Sequence, residues 1–284
     1  MENDILKRFD LGGTVVAITG GGGDLCGAMA EALGLIGVKV AVLDIDLGKA
    51  EARASAITRS GGTAKAFQCN VLDTDRIRTC YEAVSDVWGP PDYLINGAGG
   101  NDPRGSTSED FHLPSAPPNP AAQSFFDLDP AGFRRVFDLN FMGTFQVTQI
   151  FSKGMVTKGK GSVINISSMS AFTPLTKVAA YSAAKAAVSN FTHWLAVHLS
   201  HTGVRVNALA PGFFMTEQLK FLHIDQKTGE YLPRAKKVIA HTPMGRYGQP
   251  DDLIGTLIWL LSDASSFVTG VVVPIDGGFS SYSI

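Results

Sequence analysis

A tyrosine and a lysine, Tyr181 and Lys185, stand four residues apart in an alanine-rich segment that is predicted to be helical. Residues with this spacing share one face of a helix. Ser168 closes an apolar segment thirteen residues before the tyrosine, and Asn140 lies on the helix predicted before that segment. An ammonium group near a phenol stabilises the phenolate and lowers its pKa, and a serine hydroxyl can hydrogen-bond a substrate oxygen that gains charge. Together the four residues predict carbonyl chemistry.

A run of glycines, Gly20 to Gly23, follows an apolar segment near the N-terminus and leads into a predicted helix. Glycine lets the backbone approach a phosphate, and the helix N-terminus offers free N–H groups and the positive end of a dipole. Tight turns also use glycine, but the order strand, glycine turn, helix favours binding. We therefore predict that Gly20, Gly23, Asp24 and Leu25 hold the pyrophosphate of a dinucleotide.

Asp44 ends the second predicted strand, twenty-one residues after Gly23. A carboxylate at this place accepts hydrogen bonds from ribose hydroxyls and repels a ribose phosphate, which favours NAD(H) over NADP(H). The alternative is that Asp44 only caps the next helix. The nicotinamide would carry the hydride, and its oxidised form would be a second positive charge that lowers the pKa of Tyr181.

Short apolar runs alternate with helix-length segments along the whole chain. The predicted strands are Thr14–Thr19, Val38–Leu43, Thr63–Phe67, Tyr93–Ile95, Ser162–Ile166, Arg205–Leu209 and Val271–Ile275. The predicted helices are Leu25–Leu35, Leu47–Ser60, Thr74–Val87, Phe133–Val156, Ala179–Leu199 and Asp251–Leu261. This alternation predicts an α/β fold: one domain over residues 1–284, with a doubly wound parallel sheet and helices on both faces.

Two segments interrupt the alternation. Gly99–Gln123 is rich in Gly, Pro, Ser and Asn, and Phe213–His241 is of mixed composition with a turn signal in the middle. Loops of this length in a compact domain are usually functional. Because both follow strand ends, we expect them to cover the substrate; tolerated surface insertions are the alternative.

Composition narrows the classes of partner. The chain has 284 residues and a net charge of −2, so no broad positive field attracts nucleic acid or an anionic membrane. No run of 18 apolar residues occurs, and we expect no membrane span. The three cysteines lack metal-type or redox spacing and indicate free thiols in a cytoplasmic protein, and the histidines do not form a metal-ligand pattern.

Several motifs, taken in order, resemble the short-chain dehydrogenase/reductase family over nearly the full chain. They are Thr19-Gly20 with the glycine turn, Asn96-Gly97-Ala98-Gly99, Asn140, Ser168, Tyr181-x-x-x-Lys185, Pro211-Gly212-x-x-x-Thr216, Phe267-Val268-Thr269-Gly270 and Asp276-Gly277-Gly278. The resemblance implies a Rossmann-type sheet of about seven strands, with a cofactor-binding half over residues 1–150 and a catalytic half over 151–284.

The resemblance also implies roles for individual residues. Tyr181 would donate the proton, Lys185 would hold the ribose and lower the pKa of the tyrosine, Ser168 would position the carbonyl, and Asn140 would hold a water linked to Lys185. The remaining cofactor contacts would come from Asn96, Gly97, Ala98 and Gly99 at the cleft, Asn70 and Val71 at the adenine, and Pro211, Gly212, Phe214 and Thr216 on the nicotinamide side.

One departure from the family pattern concerns the glycine turn. The family has Thr-Gly-x-x-x-Gly-x-Gly, and the last two glycine positions here hold Asp24 and Cys26. An acidic side chain beside a diphosphate is electrostatically unfavourable unless it points elsewhere or caps a helix.

A narrower resemblance points to the short-chain fructuronate reductases, also called D-mannonate oxidoreductases. It rests on Ala98-Gly99-Gly100-Asn101-x-Pro103, Ser168-Met169-x-Ala171-Phe172-Thr173-Pro174-Leu175-Thr176-Lys177, Ala210-Pro211-Gly212-Phe213-Phe214 and Ala240-His241-Thr242-Pro243-Met244-Gly245-Arg246. A sugar-acid substrate needs a cation and several hydrogen-bonding groups. The candidates are Asn101, Arg104, Met169 and Lys177, with solvated surface charge as the alternative for the two cations.

Three functions remain open at this point: a sugar-acid reductase, another short-chain polyol, gluconate or 3-oxoacyl dehydrogenase, and an NAD-binding sensor without turnover. The polar Gly99–Gly105 segment disfavours a long acyl chain. The family's homotetramers and homodimers use the helices that correspond to 133–156 and 179–199, so the resemblance implies such an assembly.

Overall fold

Seven parallel strands form one sheet in the computed structural model, which describes residues 2–113 and 122–283. The strands are β1 (Val15–Thr19), β2 (Lys39–Asp44), β3 (Thr63–Gln68), β4 (Tyr93–Asn96), β5 (Gly161–Ile166), β6 (Val204–Pro211) and β7 (Val272–Ile275). Their spatial order is β3-β2-β1-β4-β5-β6-β7. The predicted fold class, a doubly wound parallel sheet, is confirmed.

Helices cover both faces of the sheet. They are α1 (Glu2–Lys7), α2 (Asp24–Leu35), α3 (Leu47–Arg59), α4 (Thr74–Trp88), α5 (Pro130–Phe137), α6 (Gly143–Lys158), α7 (Ala179–His198), α8 (Glu217–His223), α9 (Pro233–His241) and α10 (Ile254–Leu261). Met29 of α2 and Leu257 of α10 lie in the apolar core on one face, and Phe151 of α6 and Ile77 of α4 lie in the core on the other. Because both faces are covered, the central strands are continuously apolar.

The edge strands differ from the central ones. Every residue of β1 and β4 is buried, whereas β3 alternates between exposed and more buried positions. At the opposite edge, β7 is only partly buried and contains Pro274, which has no N–H to offer to a further strand.

The order in which successive strands are added to the sheet changes side between β1 and β4: β2 and β3 extend the sheet on one side of β1, and β4 to β7 extend it on the other. Strand β1 pairs with β2 on one side and with β4 on the other, so the two halves of the sheet are wound in opposite senses. Residues at or next to the ends of three strands are aligned in register: Thr19 with Asn96, and Asn96 with Asn165. A crevice at the carboxyl ends of strands beside such a switch point is the usual ligand site of this architecture.

Two predicted elements differ from the structure. The helix predicted over 133–156 begins at Pro130 and is interrupted by a π-helical turn, Asp138–Met142, that separates α5 from α6. The segment Phe213–His241, predicted as a loop, contains α8 and α9. Both helices are short, and neither repeats an apolar pattern for long enough to be recognised.

Part of the predicted Gly99–Gln123 loop, residues 114–121, lies outside the described residues. In the part that is described, a 3₁₀ turn forms at Pro103–Gly105 after Asp102, whose side chain accepts from the Arg104 N–H. None of the helices in residues 2–113 and 122–283 combines the length and the apolar character needed to cross a bilayer.

Candidate active site

The glycine turn forms a cradle at the end of β1. Gly20 has a φ of +64°, and an added Cβ there would lie 3.0 Å from the backbone nitrogen of Ala98. The N–H of Gly23 donates to the carbonyl of Gly20 over 3.0 Å, which closes the turn directly before α2. Only glycine fits such a position without strain. The turn and the N-terminus of α2 therefore fit the diphosphate of a dinucleotide.

Asp44 supports this cradle from the end of β2. Its carboxylate accepts from the N–H of Gly22 over 3.0 Å and from the N–H of Asp46 over 3.0 Å. The residue that caps α3 is Asp46, whose side chain accepts from the Lys49 N–H. Asp44 thus does not cap the next helix, which was the alternative to its ribose-binding role.

A cleft of about 500 Å³ opens at this edge of the sheet. Its lining contains most of the predicted cofactor residues: Gly20, Gly23, Asp24, Leu25, Asp44, Asn70, Val71, Gly97, Ala98, Tyr181, Lys185 and Thr216. The glycine turn and the catalytic tyrosine and lysine therefore share one continuous cavity.

Four predicted cofactor residues do not line the cleft. Asn96 is buried beneath it, where its side-chain amide donates to Thr148 over 2.7 Å and to Asn165 over 2.8 Å. Pro211 is buried, the N–H of Gly212 donates to the Ile275 carbonyl, and Phe214 packs in the apolar core. Direct contact of these four residues with the cofactor stays a prediction.

The cleft residues that were not predicted from the sequence include Ile45, Lys49, Cys69, Leu139 and Ile166. Ile45 and Cys69 directly follow β2 and β3, and Ile166 ends β5. Since parallel strands deliver their carboxyl ends to one edge, this adjacency was the available signal. Leu139 lies in the π-helical turn, which no pattern in the sequence indicates.

Tyr181 lines the cleft, and Ser168 lies close to its hydroxyl. The Ser168 hydroxyl accepts from the Ser170 N–H over 3.1 Å. Burial raises the pKa of Tyr181 above its usual value, and the Ser168 hydroxyl offsets only part of that rise. Desolvation of the phenolate thus outweighs the favourable contact in the protein alone; the expected lowering of this pKa by the lysine together with an oxidised nicotinamide stays a prediction.

Lys185 is held firmly below the tyrosine. Its Nζ donates to the Ile166 carbonyl over 2.8 Å and lies 5.5 Å from the centre of the Tyr181 ring. The Ser167 hydroxyl donates to the Lys185 carbonyl over 3.1 Å. The side chain is only 4% exposed, and burial lowers the pKa of Lys185 to about 8.

Asn140 projects from the π-helical turn toward the same point. Its side-chain amide donates to the Gly100 carbonyl over 2.7 Å and to the Val136 carbonyl over 2.8 Å, and its Oδ1 accepts from the Gly100 N–H over 3.2 Å. A π-helical turn shifts the residues that follow it around the helix axis and is common at functional sites. Here it fixes Asn140 against the backbone of the cleft floor.

Gly99 forms that floor. A Cβ added to Gly99 would lie 2.6 Å from Oδ1 of Asn140 and 3.3 Å from Nζ of Lys185. The asparagine and the lysine therefore converge on one small space that only glycine leaves open.

The four predicted substrate residues have different surroundings. Arg104 forms a two-point ion pair with Asp102, at 2.8 and 3.1 Å, and lies 3.5 Å from Asp129. The exposed amide of Asn101 donates to the Ser106 hydroxyl. Met169 is buried in the 3₁₀ turn after Ser168. None of these residues lines the cofactor cleft.

Lys177 ties the catalytic helix to the loop after β4. Its Nζ donates to the Ser108 carbonyl over 2.5 Å, and its own carbonyl accepts from the Thr107 N–H over 2.9 Å. Within the described residues it is the one non-glycine residue with a positive φ, +73°. Such strained conformations cluster at functional sites.

Asp24 and Cys26, which replace two family glycines, face different surroundings. The Asp24 carboxylate accepts from the backbone N–H of Glu217 over 2.9 Å and so points away from the glycine turn. Cys26 is buried behind Gly97, where no side chain on residue 97 would fit beside its sulfur. Burial raises the pKa of this thiol to about 12, with Lys185 opposing the rise.

The described residues contain no cluster of three His, Cys, Asp or Glu side chains that could hold a metal ion. The cleft itself brings together the Tyr181 hydroxyl, the buried Lys185 and the glycine turn.

Comparison with known proteins places this chain in a family. A family profile described as enoyl-(acyl carrier protein) reductase matches residues 25–280. The oxidoreductase UxuB of Bacillus subtilis strain 168, which is uncharacterised, is 48% identical over 96% of this chain and 97% of its own length. An uncharacterised oxidoreductase of Haemophilus influenzae is 45% identical over 99% of this chain and 98% of its own.

A solved structure agrees with the whole fold. A protein from Haemophilus influenzae, provisionally assigned as a D-mannonate oxidoreductase and crystallised with bound NAD, superimposes with a TM-score of 0.92. It is 46% identical and covers 96% of this chain and 97% of its own. The chain belongs to the short-chain dehydrogenase/reductase family, and the resemblance stated from the sequence is confirmed. It is an oxidoreductase of that family.

Proposed function

We propose that this protein interconverts D-fructuronate and D-mannonate with NAD(H). The observation that carries the proposal is that Tyr181 and Lys185 share one cleft with a dinucleotide cradle, with Ser168 close to the Tyr181 hydroxyl. Residues 1–150 would bind the cofactor and residues 151–284 would supply catalysis and substrate contacts, within one domain.

Each catalytic side chain has a distinct task in the reduction. Tyr181 donates a proton to the oxygen of the substrate carbonyl as that carbon is reduced. The Ser168 hydroxyl, which lies close to that of Tyr181, orients the same oxygen and stabilises its developing charge. Lys185 stands below the tyrosine as a positive charge and, with Asn140 beside Gly99, lies on a route by which a proton can return to Tyr181.

The cofactor supplies the hydride when it is bound. Its oxidised ring is positively charged, which stabilises a phenolate at Tyr181 where the protein's own groups do not. The Asp44 carboxylate at the end of β2 supports NAD(H) over NADP(H), since it lines the cleft and repels a ribose phosphate. The NAD found in the Haemophilus structure supports the same choice.

The sugar-acid substrate is supported by the provisional assignment of that Haemophilus protein and by the motifs shared with fructuronate reductases. Lys177 is the substrate-side cation that we retain as a candidate for the carboxylate, and Asn101 and Met169 remain candidates for further substrate contacts. Arg104 is a weaker candidate because two carboxylates already neutralise it. A gluconate-type sugar acid is the alternative substrate.

The deciding experiment is a panel of hexuronates, aldonates and an aliphatic ketone, assayed with NADH or NAD⁺ and with the phosphorylated cofactors. We expect turnover of fructuronate with NADH, and of mannonate in reverse, but not of the ketone. Turnover of gluconate-type substrates alone would favour the alternative, and NADH binding without turnover of any substrate would favour a sensor.

We also propose that the protein is a cytoplasmic homotetramer or homodimer. Aromatic side chains run along one face of α6 and α7, where Phe191 stacks on Trp194 and Trp194 on His198. Trp194 is 56% exposed, which suits burial against a second copy. Three buried cysteine thiols, none in a disulfide, suit a reducing compartment.

A further inference from the structure

Asp24 makes a hydrogen bond that the glycine of the family pattern could not make. Its Oδ2 accepts from the backbone N–H of Glu217 over 2.9 Å, although the two residues are 193 positions apart. The side chain does not cap its own helix, because the N-cap position of α2 is Gly23 and carries no side-chain hydrogen bond. The carboxylate is thus committed to another element.

That element is α8, the first helix of the segment between β6 and α10. The first N–H groups of a helix have no partners within it. In α8, Asp24 accepts from Glu217, and the Thr216 hydroxyl accepts from Leu219 over 3.2 Å. A carboxylate at this end of a helix is also favoured by the helix dipole.

The segment between β6 and α10 also makes contacts that do not involve the glycine turn. The Met215 N–H donates to the Gly248 carbonyl over 2.9 Å, just before α8. At the far end of α8, buried His223 is hydrogen-bonded to the Tyr247 hydroxyl over 2.8 Å. Asp24 is therefore the contact that ties the start of α8 to the glycine turn.

Asp24 and Thr216 both line the cofactor cleft. We propose that Asp24 is a positioning residue: it seats the N-terminus of α8 on the glycine turn, so that closure of the substrate-side segment depends on the cofactor-side turn. The inference builds on the proposed function for its substrate, but the contact itself does not require that substrate.

The surrounding charges are consistent with this arrangement. Lys220 pairs with Glu217 over 2.7 Å one turn into α8, and Asp24 and Glu217 both raise the pKa of Lys220. A cation near Asp24 limits the repulsion between its carboxylate and a diphosphate at α2.

Two substitutions remove the contact from opposite sides. Asp24→Ala deletes the acceptor. Glu217→Pro deletes the donor N–H, and proline is well tolerated at the first position of a helix. The readout that needs no substrate is amide hydrogen exchange over residues 219–223, measured with and without NADH.

We expect either substitution to speed exchange in this segment about 10-fold and to raise the KM for the sugar acid about 5-fold, as for loss of one hydrogen bond to a charged group. The double variant should be no worse than either single one, because the same contact is lost. The Asp24→Asn variant keeps an acceptor, so its exchange rate and its KM should lie between those of the wild type and those of Asp24→Ala. The Kd for NADH should stay within about twofold or tighten, because a negative charge near the diphosphate is gone.

Glu217→Gln is the matched control: it breaks the Lys220 pair but keeps the backbone N–H, and we expect unchanged exchange. Unchanged exchange in Asp24→Ala and Glu217→Pro would overturn the proposal, as would additive effects in the double variant. A weaker NADH affinity equal to the change in KM would make Asp24 a cofactor ligand and also overturn it. If the wild type turns over no sugar acid, the proposed function fails, but hydrogen exchange still tests whether Asp24 positions α8. Failure of the proposed function and failure of this inference are therefore distinguishable.

Discussion

Nζ of Lys185 lies 5.5 Å from the centre of the Tyr181 ring, and its hydrogen bond goes to the Ile166 carbonyl. The lysine therefore acts on the tyrosine through space, as a buried charge. Its effectiveness depends on its protonation, and burial lowers the pKa of Lys185 to about 8. The tyrosine's own pKa is raised by burial. Catalysis near neutral pH then rests on the combined charges of the lysine and the bound cofactor.

Tyr181→Phe should abolish turnover while NADH still binds. Removing the proton donor is expected to lower kcat about 100-fold to 10,000-fold, the range for general acid–base catalysis. Steady-state kinetics and NADH fluorescence titration measure the two properties. A melting temperature equal to that of the wild type is the control for folding. Undiminished kcat would refute Tyr181 as the donor.

Gly99→Ala should impair catalysis far more than Gly100→Ala. The new methyl at 99 would meet Oδ1 of Asn140 at 2.6 Å, whereas at 100 the nearest atom is a flexible Leu139 methyl at 3.7 Å. Displacing Asn140 and Lys185 is expected to lower kcat about 10-fold or more, since small misplacements in an active site are costly. Kinetics of both variants measure the difference. Equal effects would show that the space above Gly99 is unimportant.

Asp44→Asn should reduce the preference for NADH over NADPH. Asparagine can still accept from the Gly22 N–H, so the turn is kept while the charge that repels a ribose phosphate is lost. We expect the ratio of kcat/KM for the two cofactors to fall about 10-fold or more. Asp46→Asn, at the cap of α3, is the matched control and should leave the ratio unchanged. If Asp46→Asn lowers the ratio as much as Asp44→Asn does, the change comes from the loss of any nearby negative charge and not from Asp44 in particular.

Lys185→Met should remove a pH-dependent part of the protein's stability. Because the pKa of Lys185 is lowered to about 8 in the folded protein, the unfolded state binds more protons above that pH. The free energy of unfolding contributed by this lysine thus rises between about pH 8 and 10.5, by up to about 3 kcal/mol. Urea unfolding of both proteins across this range should show that the free energy of unfolding of the wild type increases relative to that of the variant as pH rises. Parallel curves would mean that the lysine is not desolvated.

Trp194→Glu should dissociate the proposed assembly. A carboxylate in an apolar contact between copies would be buried without a partner, which is strongly unfavourable. Light scattering after size-exclusion chromatography should report a smaller particle, and Trp194→Phe should retain the wild-type mass. An identical mass for Trp194→Glu would place the interface elsewhere.

The sequence predicted the sheet and the proximity of Tyr181 and Lys185 well because both depend on local signals. Buried parallel strands are continuous apolar runs, and a Tyr-x-x-x-Lys pair shares a helix face wherever the helix lies. The ends of β1 and β5, at Thr19 and Ile166, were predicted to the residue.

Features that depend on tertiary contacts were not predictable. The partner of Asp24 lies 193 residues away, and Arg104 is neutralised by Asp102 and by Asp129 on a different element. The π-helical turn at Asn140 is set by packing and not by residue type. The direction of the Tyr181 pKa shift follows from burial, which a motif does not report.

The separation between Asp24 and Glu217 also has a consequence during synthesis of the protein. The glycine turn emerges from the ribosome early, but its hydrogen-bond partner on α8 emerges only 193 residues later. Until then a nascent chain can form local helices, yet it has no means of completing the cleft. Contacts between such distant parts of a chain slow folding, so the enzyme becomes competent late, when translation is nearly finished.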